Sequence, residues 1–99
     1  MLNITKEQNG GVVFILLEGR LDTSTAPNLE EELKDSLKGI SELVFDLSKL
    51  EYISSAGLRV LLSAQKTMNK QGNMVVKNVS NSIMEIFDVT GFSDILTID

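Results

Sequence analysis

Six apolar residues in a row, Val12-Val13-Phe14-Ile15-Leu16-Leu17, follow directly on Asn9-Gly10-Gly11. A run that is apolar on both faces and rich in β-branched residues marks a central strand, covered on at least one side by helices. The glycines before it offer the positive φ angles of a tight hairpin. Leu2, Ile4 and Lys6, which alternate with polar neighbours, are therefore expected to form an antiparallel partner strand. Gly19-Arg20-Leu21-Asp22 ends the central strand.

Beyond that point the apolar spacing changes to a helical one. Thr23, Ser24 and Thr25 supply N-caps, Pro27 suits a first helical turn, and Glu30, Glu31 and Glu32 put negative charge near the positive end of the dipole. Leu29, Leu33 and Leu37 form the buried stripe of a helix expected to run to about Lys38, with Gly39 stopping it. Leu43 to Leu47 reads as a third strand, reached by a connection long enough for a parallel crossover. After a loop through Tyr52, a second helix is expected from about Ala56 to Gln71, with Leu58, Leu61, Leu62 and Met68 facing inward, Lys66 and Lys70 in its last turns and Gly72 as its stop. Asn73 to Val79 gives a fourth strand, and Ser80 caps a third helix carrying Ile83, Ile86 and Phe87 and closing at Gly91. A short last strand, Ile95 to Ile98, completes the order β-β-α-β-α-β-α-β. The expectation is one α/β domain over residues 1–99, a mixed β-sheet with an N-terminal antiparallel hairpin, parallel crossovers and helices packed on the sheet.

Composition removes whole classes of chemistry. With 99 residues, 42% of them hydrophobic and 23% charged, the chain is long enough for one core without staples. It has no Cys and no His, which excludes thiolate nucleophiles, His-dependent triads and the usual zinc ligand sets. No metal and no cofactor is implied. The net charge of −5 repels phosphate backbones, so nucleic acid is not an expected partner. The six-residue apolar run is far short of the roughly 20 residues of a membrane span, and Met1 to Lys6 do not resemble a signal peptide. A cytoplasmic protein is the default expectation.

In open α/β sheets function gathers at the carboxyl ends of the parallel strands. Two loops reach that edge, Gly19 to Thr25 and Leu47 to Ala56. The second delivers two hydroxyls, Ser54 and Ser55, to the start of a helix, where Ser is also an ordinary cap. Gly57, in the first turn of that helix, lets another backbone or a partner approach closely, or packs tightly against the sheet. Asp22 reads equally as a turn residue, and Asp46 as an acceptor for nearby backbone. Arg59 is either a surface charge or a contact to an acidic partner, while Glu30-Glu31-Glu32 is a solvated face that could also meet a basic one.

Asp46-Leu47-Ser48 followed by Tyr52-Ile53-Ser54-Ser55-Ala56-Gly57-Leu58-Arg59-Val60-Leu61 resembles the signature of the STAS domain family, specifically the bacterial anti-sigma factor antagonists. Gly19-Arg20-Leu21-Asp22 resembles the family's other short motif, and the likeness extends over essentially the whole chain. It implies a STAS-like sheet and a binding protein rather than an enzyme. Such members bind an anti-sigma factor that is often also a serine kinase, so that a sigma factor is freed; phosphorylation of one Ser blocks the binding. By position that Ser is Ser55. The resemblance places Asp22, Ser54, Ser55, Ala56, Gly57 and Arg59 at the partner contact, and it implies a PP2C-type serine phosphatase that resets the switch. Ser54 stands where many members have Asp, and Ala56 where Ser or Thr is frequent.

A phosphate on Ser55 would add about −1.5 to −2 charge at a helix N-terminus, which favours an anion. The fold should tolerate it. A partner that must pack there would not: an interface intolerant by about 3 kcal/mol loses on the order of 100-fold in affinity. Two other readings stand beside this one. The first is a small enzyme that uses Asp22 and Asp46 with a Ser nucleophile, although no His or Lys sits at an activating spacing. The second keeps the fold and changes the partner, as an interaction subunit of a transport complex or a stress-signalling assembly. Nucleotide binding has no Gly-rich phosphate loop to support it.

Overall fold

The computed structural model describes all 99 residues, Met1–Asp99. Strand β1, Leu2–Asn9, turns through Gly10 and Gly11 into β2, Val12–Leu21, and the pair runs antiparallel from Asn9 opposite Val12 to Leu2 opposite Gly19. Gly10 carries the turn at φ +59°, where a side chain would be strained. Helix α1, Ala26–Ser36, leads to β3, Glu42–Ile53, which lies parallel to β2. Helix α2, Ser55–Asn69, leads to β4, Asn73–Lys77, parallel to β3. Helix α3, Asn81–Thr90, and a 3-10 turn, Phe92–Asp94, finish the chain.

The strands stand in sequence order, β1-β2-β3-β4. Each parallel crossover therefore steps in the same direction across the sheet, and right-handed crossovers of one direction put their helices on one face. The core follows from this. Val13, Ile15 and Leu17 of β2, Leu43, Phe45 and Leu47 of β3, and Met74 and Val76 of β4 meet Leu29, Leu33 and Leu37 from the first helical segment, Leu58, Leu61 and Met68 of α2, and Ile83 and Phe87 of α3 in one cluster of 24 buried residues. No helix is long and apolar enough to cross a membrane.

Several local expectations need correcting. The segment Leu47 to Ala56 is not a loop: β3 continues to Ile53, and a single residue, Ser54, separates it from α2. Two register shifts against β2, between Leu16 and Glu18 and between Gly19 and Arg20, explain how. Each adds a residue to β3, so that Leu47, Leu50 and Ile53 all turn inward at a spacing of three instead of alternating. Helix α1 ends two residues before Lys38, and its first turn holds no acidic residue. Glu30-Glu31-Glu32 lies one turn further in, where Glu31 pairs with Lys34 at 3.5 Å and Glu32 with Lys6 of β1 at 3.7 Å. Strand β4 stops at Lys77, with Asn78 in the left-handed region at φ 58°. The expected last strand is reduced to one parallel bridge, Val76 to Ile98, held by Val76 N–H to Thr97 O at 2.9 Å and Asp99 N–H to Val76 O at 3.0 Å.

Candidate functional site

The two longest strands, β2 and β3, end side by side, Leu21 opposite Ile53, and each leads to a helix, α1 after the turn of residues 22–25 and α2 after Ser54 alone. The Ser54 N–H donates to the Leu21 carbonyl at 2.9 Å, which stitches the turn after β2 to the start of α2. One rim thus carries both helix N-termini and every residue assigned to the partner contact.

Asp22 organises the first of these termini. Its Oδ1 accepts from the Ser24 hydroxyl at 2.8 Å, from the Ser24 N–H at 3.0 Å and from the Thr25 N–H at 3.2 Å. Thr25 is buried; its Oγ1 donates to the Arg20 carbonyl at 2.8 Å and accepts from the Asp22 N–H at 2.8 Å. The sequence offered Thr23, Ser24 and Thr25 as caps, but no side chain caps α1; the Asp22 carboxylate instead orders the turn that precedes it, accepting from the Ser24 and Thr25 N–H groups ahead of the first helical residue. The Ser24 hydroxyl is the main reason the Asp22 carboxyl sits below its ordinary 3.8; slight desolvation opposes it, and the Thr25 and Ser24 N–H groups add to the lowering. Arg20 extends the cluster outward, with Nε 3.8 Å from Asp22 Oδ2 and its guanidinium 4.5 Å from the centre of the Tyr52 ring.

Ser54 and Ser55 divide the work at the second terminus. Ser54 is the N-cap of α2, extended at φ −98° and ψ 176°, and its hydroxyl accepts from the Gly57 N–H at 3.4 Å. Ser55 is the first helical residue and is exposed, its side chain outside the capping arrangement. Gly57 is buried beneath them. A Cβ there would lie 2.7 Å from Leu21 Cγ, 2.9 Å from Ile53 Cγ1 and 3.0 Å from the Leu21 carbonyl oxygen. The glycine is thus accounted for by tight packing of α2 on the strand ends. Ala56 and Arg59 line a shallow groove between α1 and α2 together with Thr23, Pro27 and Glu30.

Asp46 stands apart. It lies in the middle of β3, opposite Leu16 and Lys77, and not at the strand's end. Ile53 lies seven positions further on, roughly 23 Å of strand. Burial pushes its carboxyl up, but the hydrogen bond from the Ser48 N–H at 2.9 Å, aided by neighbouring polar groups, outweighs this and holds it below the ordinary value. The pair of Asp22 and Asp46 with a Ser nucleophile is therefore not assembled. The Arg20–Tyr52 stack escaped the sequence reading, because only the shifted register makes those two residues neighbours.

The STAS domain family matches residues 3–99. The chain belongs to it. Among the family's members it is 34% identical over 99 residues to BtrV of Bordetella bronchiseptica, assigned as an anti-sigma factor antagonist, with 98% of this chain and 85% of that protein aligned. To the anti-sigma-B factor antagonist of Bacillus subtilis it is 31% identical over 98 residues, covering 98% of this chain and 90% of that one. The fold matches that of the Bacillus anti-sigma factor antagonist SpoIIAA in its unphosphorylated form, with a TM-score of 0.78 over 98% of this chain and 87% of that one at 16% identity. The phosphorylated form of SpoIIAA matches with a TM-score of 0.77 over 98% of this chain and 91% of that one. A mixed sheet with an antiparallel hairpin at one edge and helices on it, expected from the sequence, is the STAS architecture.

Proposed function

We propose that this STAS domain is an anti-sigma factor antagonist, which binds an anti-sigma factor with serine kinase activity and is switched off when that kinase phosphorylates Ser55. The observation that carries the reading is the division of labour between the two serines. Ser54 is committed to capping α2, and Ser55, one residue on, is exposed at a helix N-terminus beside the Asp22 turn. An anion on Ser55 meets unpaired N–H groups and the positive end of the dipole, so the fold accepts it. The same anion faces a partner as a hydrated charge next to the Asp22 carboxylate. The near-equal likeness of this chain to both forms of SpoIIAA supports the first half of that statement.

The partner surface is formed by Asp22, Ser54, Ser55, Ala56 and Arg59, with Gly57 holding α2 against the strand ends beneath it. A PP2C-type serine phosphatase would reset the switch, in the cytoplasm. Incubation with the cognate anti-sigma factor and ATP, followed by mass-spectrometric mapping, is expected to label Ser55 and leave Ser54 bare. Label on Ser54 would overturn the assignment. In a binding assay with the same partner, Ser55→Asp is expected to lower affinity on the order of 100-fold and Ser55→Ala to leave it within a few-fold.

A further inference from the structure

The helices cover one face of the sheet, and the other face is left to solvent although β2, β3 and β4 run parallel. Parallel strands ordinarily have both faces covered, so an uncovered face leaves room for a further layer. Here that face carries Val12, Phe14 and Leu16 from β2, Val44 from β3 and Val75 from β4. Phe14 is 42% exposed. Val44 is the one buried apolar residue outside the main core, shielded only by the sheet itself, with Phe14 and Val75 as its cross-strand neighbours.

Carboxylates border this stripe in register. Glu7 of β1 lies opposite Phe14, Glu42 of β3 opposite Val12, and Asp46 of β3 opposite Leu16. Two cations lie near Asp46 itself: Lys77, directly opposite it, pairs with Asp99 at 3.7 Å, and the charge of Lys49 reaches it, so the margin that stays acidic is that of Glu7 and Glu42. The face is an apolar stripe with an acidic margin. Three strands spaced about 4.8 Å apart make it roughly 10 Å wide, the diameter of a single helix.

We propose that this face docks one amphipathic helix of a partner protein, its apolar side laid on Phe14 and Val44 and its flanking Lys or Arg residues meeting Glu7 and Glu42. Charge selects this occupant. A second copy of the chain would bring the same carboxylates against one another, and an anionic lipid surface would be repelled by them. The face lies on the side of the sheet away from the helices and requires nothing of Ser55, so its occupancy is separate from the phosphorylation switch.

The test uses the full chain and a fluorescent synthetic peptide of about 18 residues with a leucine stripe flanked by lysines, long enough to be helical on a surface. Its control is a scrambled peptide of equal composition without the stripe. Anisotropy titration is expected to show tighter binding of the striped peptide, with amide shifts on titration confined to the four strands, Glu7 of β1 included. Phe14→Ser is expected to weaken it at least tenfold, and Glu7→Lys with Glu42→Lys by a similar factor. The double variant keeps the apolar stripe, so it decides the matter should Phe14→Ser fold poorly. Glu30→Lys with Glu31→Lys, on α1, is expected to change affinity less than about twofold. Equal binding of the scrambled peptide, indifference to both the Phe14 and the Glu7/Glu42 substitutions, or amide shifts centred on α1 and α2 would overturn the proposal. A dimer that sediments as such and is broken by Phe14→Ser would overturn it in favour of a second copy.

Discussion

Two helices begin on the same rim, and they begin differently. Helix α1 is reached through the turn Asp22 to Thr25, in which a carboxylate already collects two backbone N–H groups and a hydroxyl. Helix α2 follows its strand after one residue, and its cap is a neutral hydroxyl making one long hydrogen bond of 3.4 Å. One helix is preceded by an anion built into its entry turn; the other begins at a neutral cap with the exposed hydroxyl of Ser55 beside it. The first is therefore a fixed element of the surface, and the second is, in the function proposed above, where a covalent charge changes the surface without rebuilding what lies under it.

The largest expected effect comes from breaking the packing on which the open terminus stands. Gly57→Val puts branched carbon where Leu21 and Ile53 already sit at 2.7 and 2.9 Å. A cost of about 3 kcal/mol and a melting temperature lowered by ~10–20 °C are expected in a thermal denaturation. A melt within about 2 °C of the parent would show that α2 can lift off the strand ends freely. Ser55→Asp tests the opposite claim on the same helix. It should change stability by less than about 1 kcal/mol while partner affinity falls on the order of 100-fold, so a denaturant titration and a binding assay on one sample separate the two.

Helix-start chemistry was legible at α3, where Ser80 accepts from the Ile83 N–H at 3.3 Å and Gly91 closes the helix at φ 82°, both as the residue types suggested. The leucine stripe of α1 was equally plain, since Leu29, Leu33 and Leu37 recur at one helical period and are all buried. The end of β3 was not legible. Leu47, Leu50 and Ile53 are spaced by three, which matches neither strand alternation nor a run, and the two bulges that reconcile them exist only against β2. The same non-local cause hid the Arg20–Tyr52 stack and placed Asp46 at a strand end in the sequence reading. At the rim, residue types gave the hydroxyls and the carboxylate but not their assignment. Which serine caps and which is free depends on the helix starting at Ser55 rather than Ala56, a matter of one residue.

That one-residue division gives a smaller, sharper test. Ser54→Ala removes the cap of α2 and should cost about 1 kcal/mol in a denaturant titration. Ser54→Asp keeps an acceptor in place and adds the charge that α1 already has, so it should restore that stability and make the two helix starts alike. If Ser55 is the sole controlling position, Ser54→Asp should reduce partner affinity far less than Ser55→Asp. Equal losses would merge the two serines into one site.

The smallest effect concerns the built-in anion. Because the Asp22 carboxyl is held below 3.8 in the folded chain, chiefly by the Ser24 hydroxyl, the folded state binds its proton less readily than the unfolded state does. The stabilising contribution is complete above the ordinary carboxylate value and is lost as pH falls through the lower, folded one. Asp22→Asn still accepts from the Ser24 and Thr25 N–H groups but cannot titrate, so stability measured by urea titration from pH 6 to pH 2.5 should fall less steeply in the variant than in the parent. Parallel acid limbs in the two proteins would mean that the turn is held by its neutral hydrogen bonds alone, and the contrast between the two helix starts would then be one of geometry and not of charge.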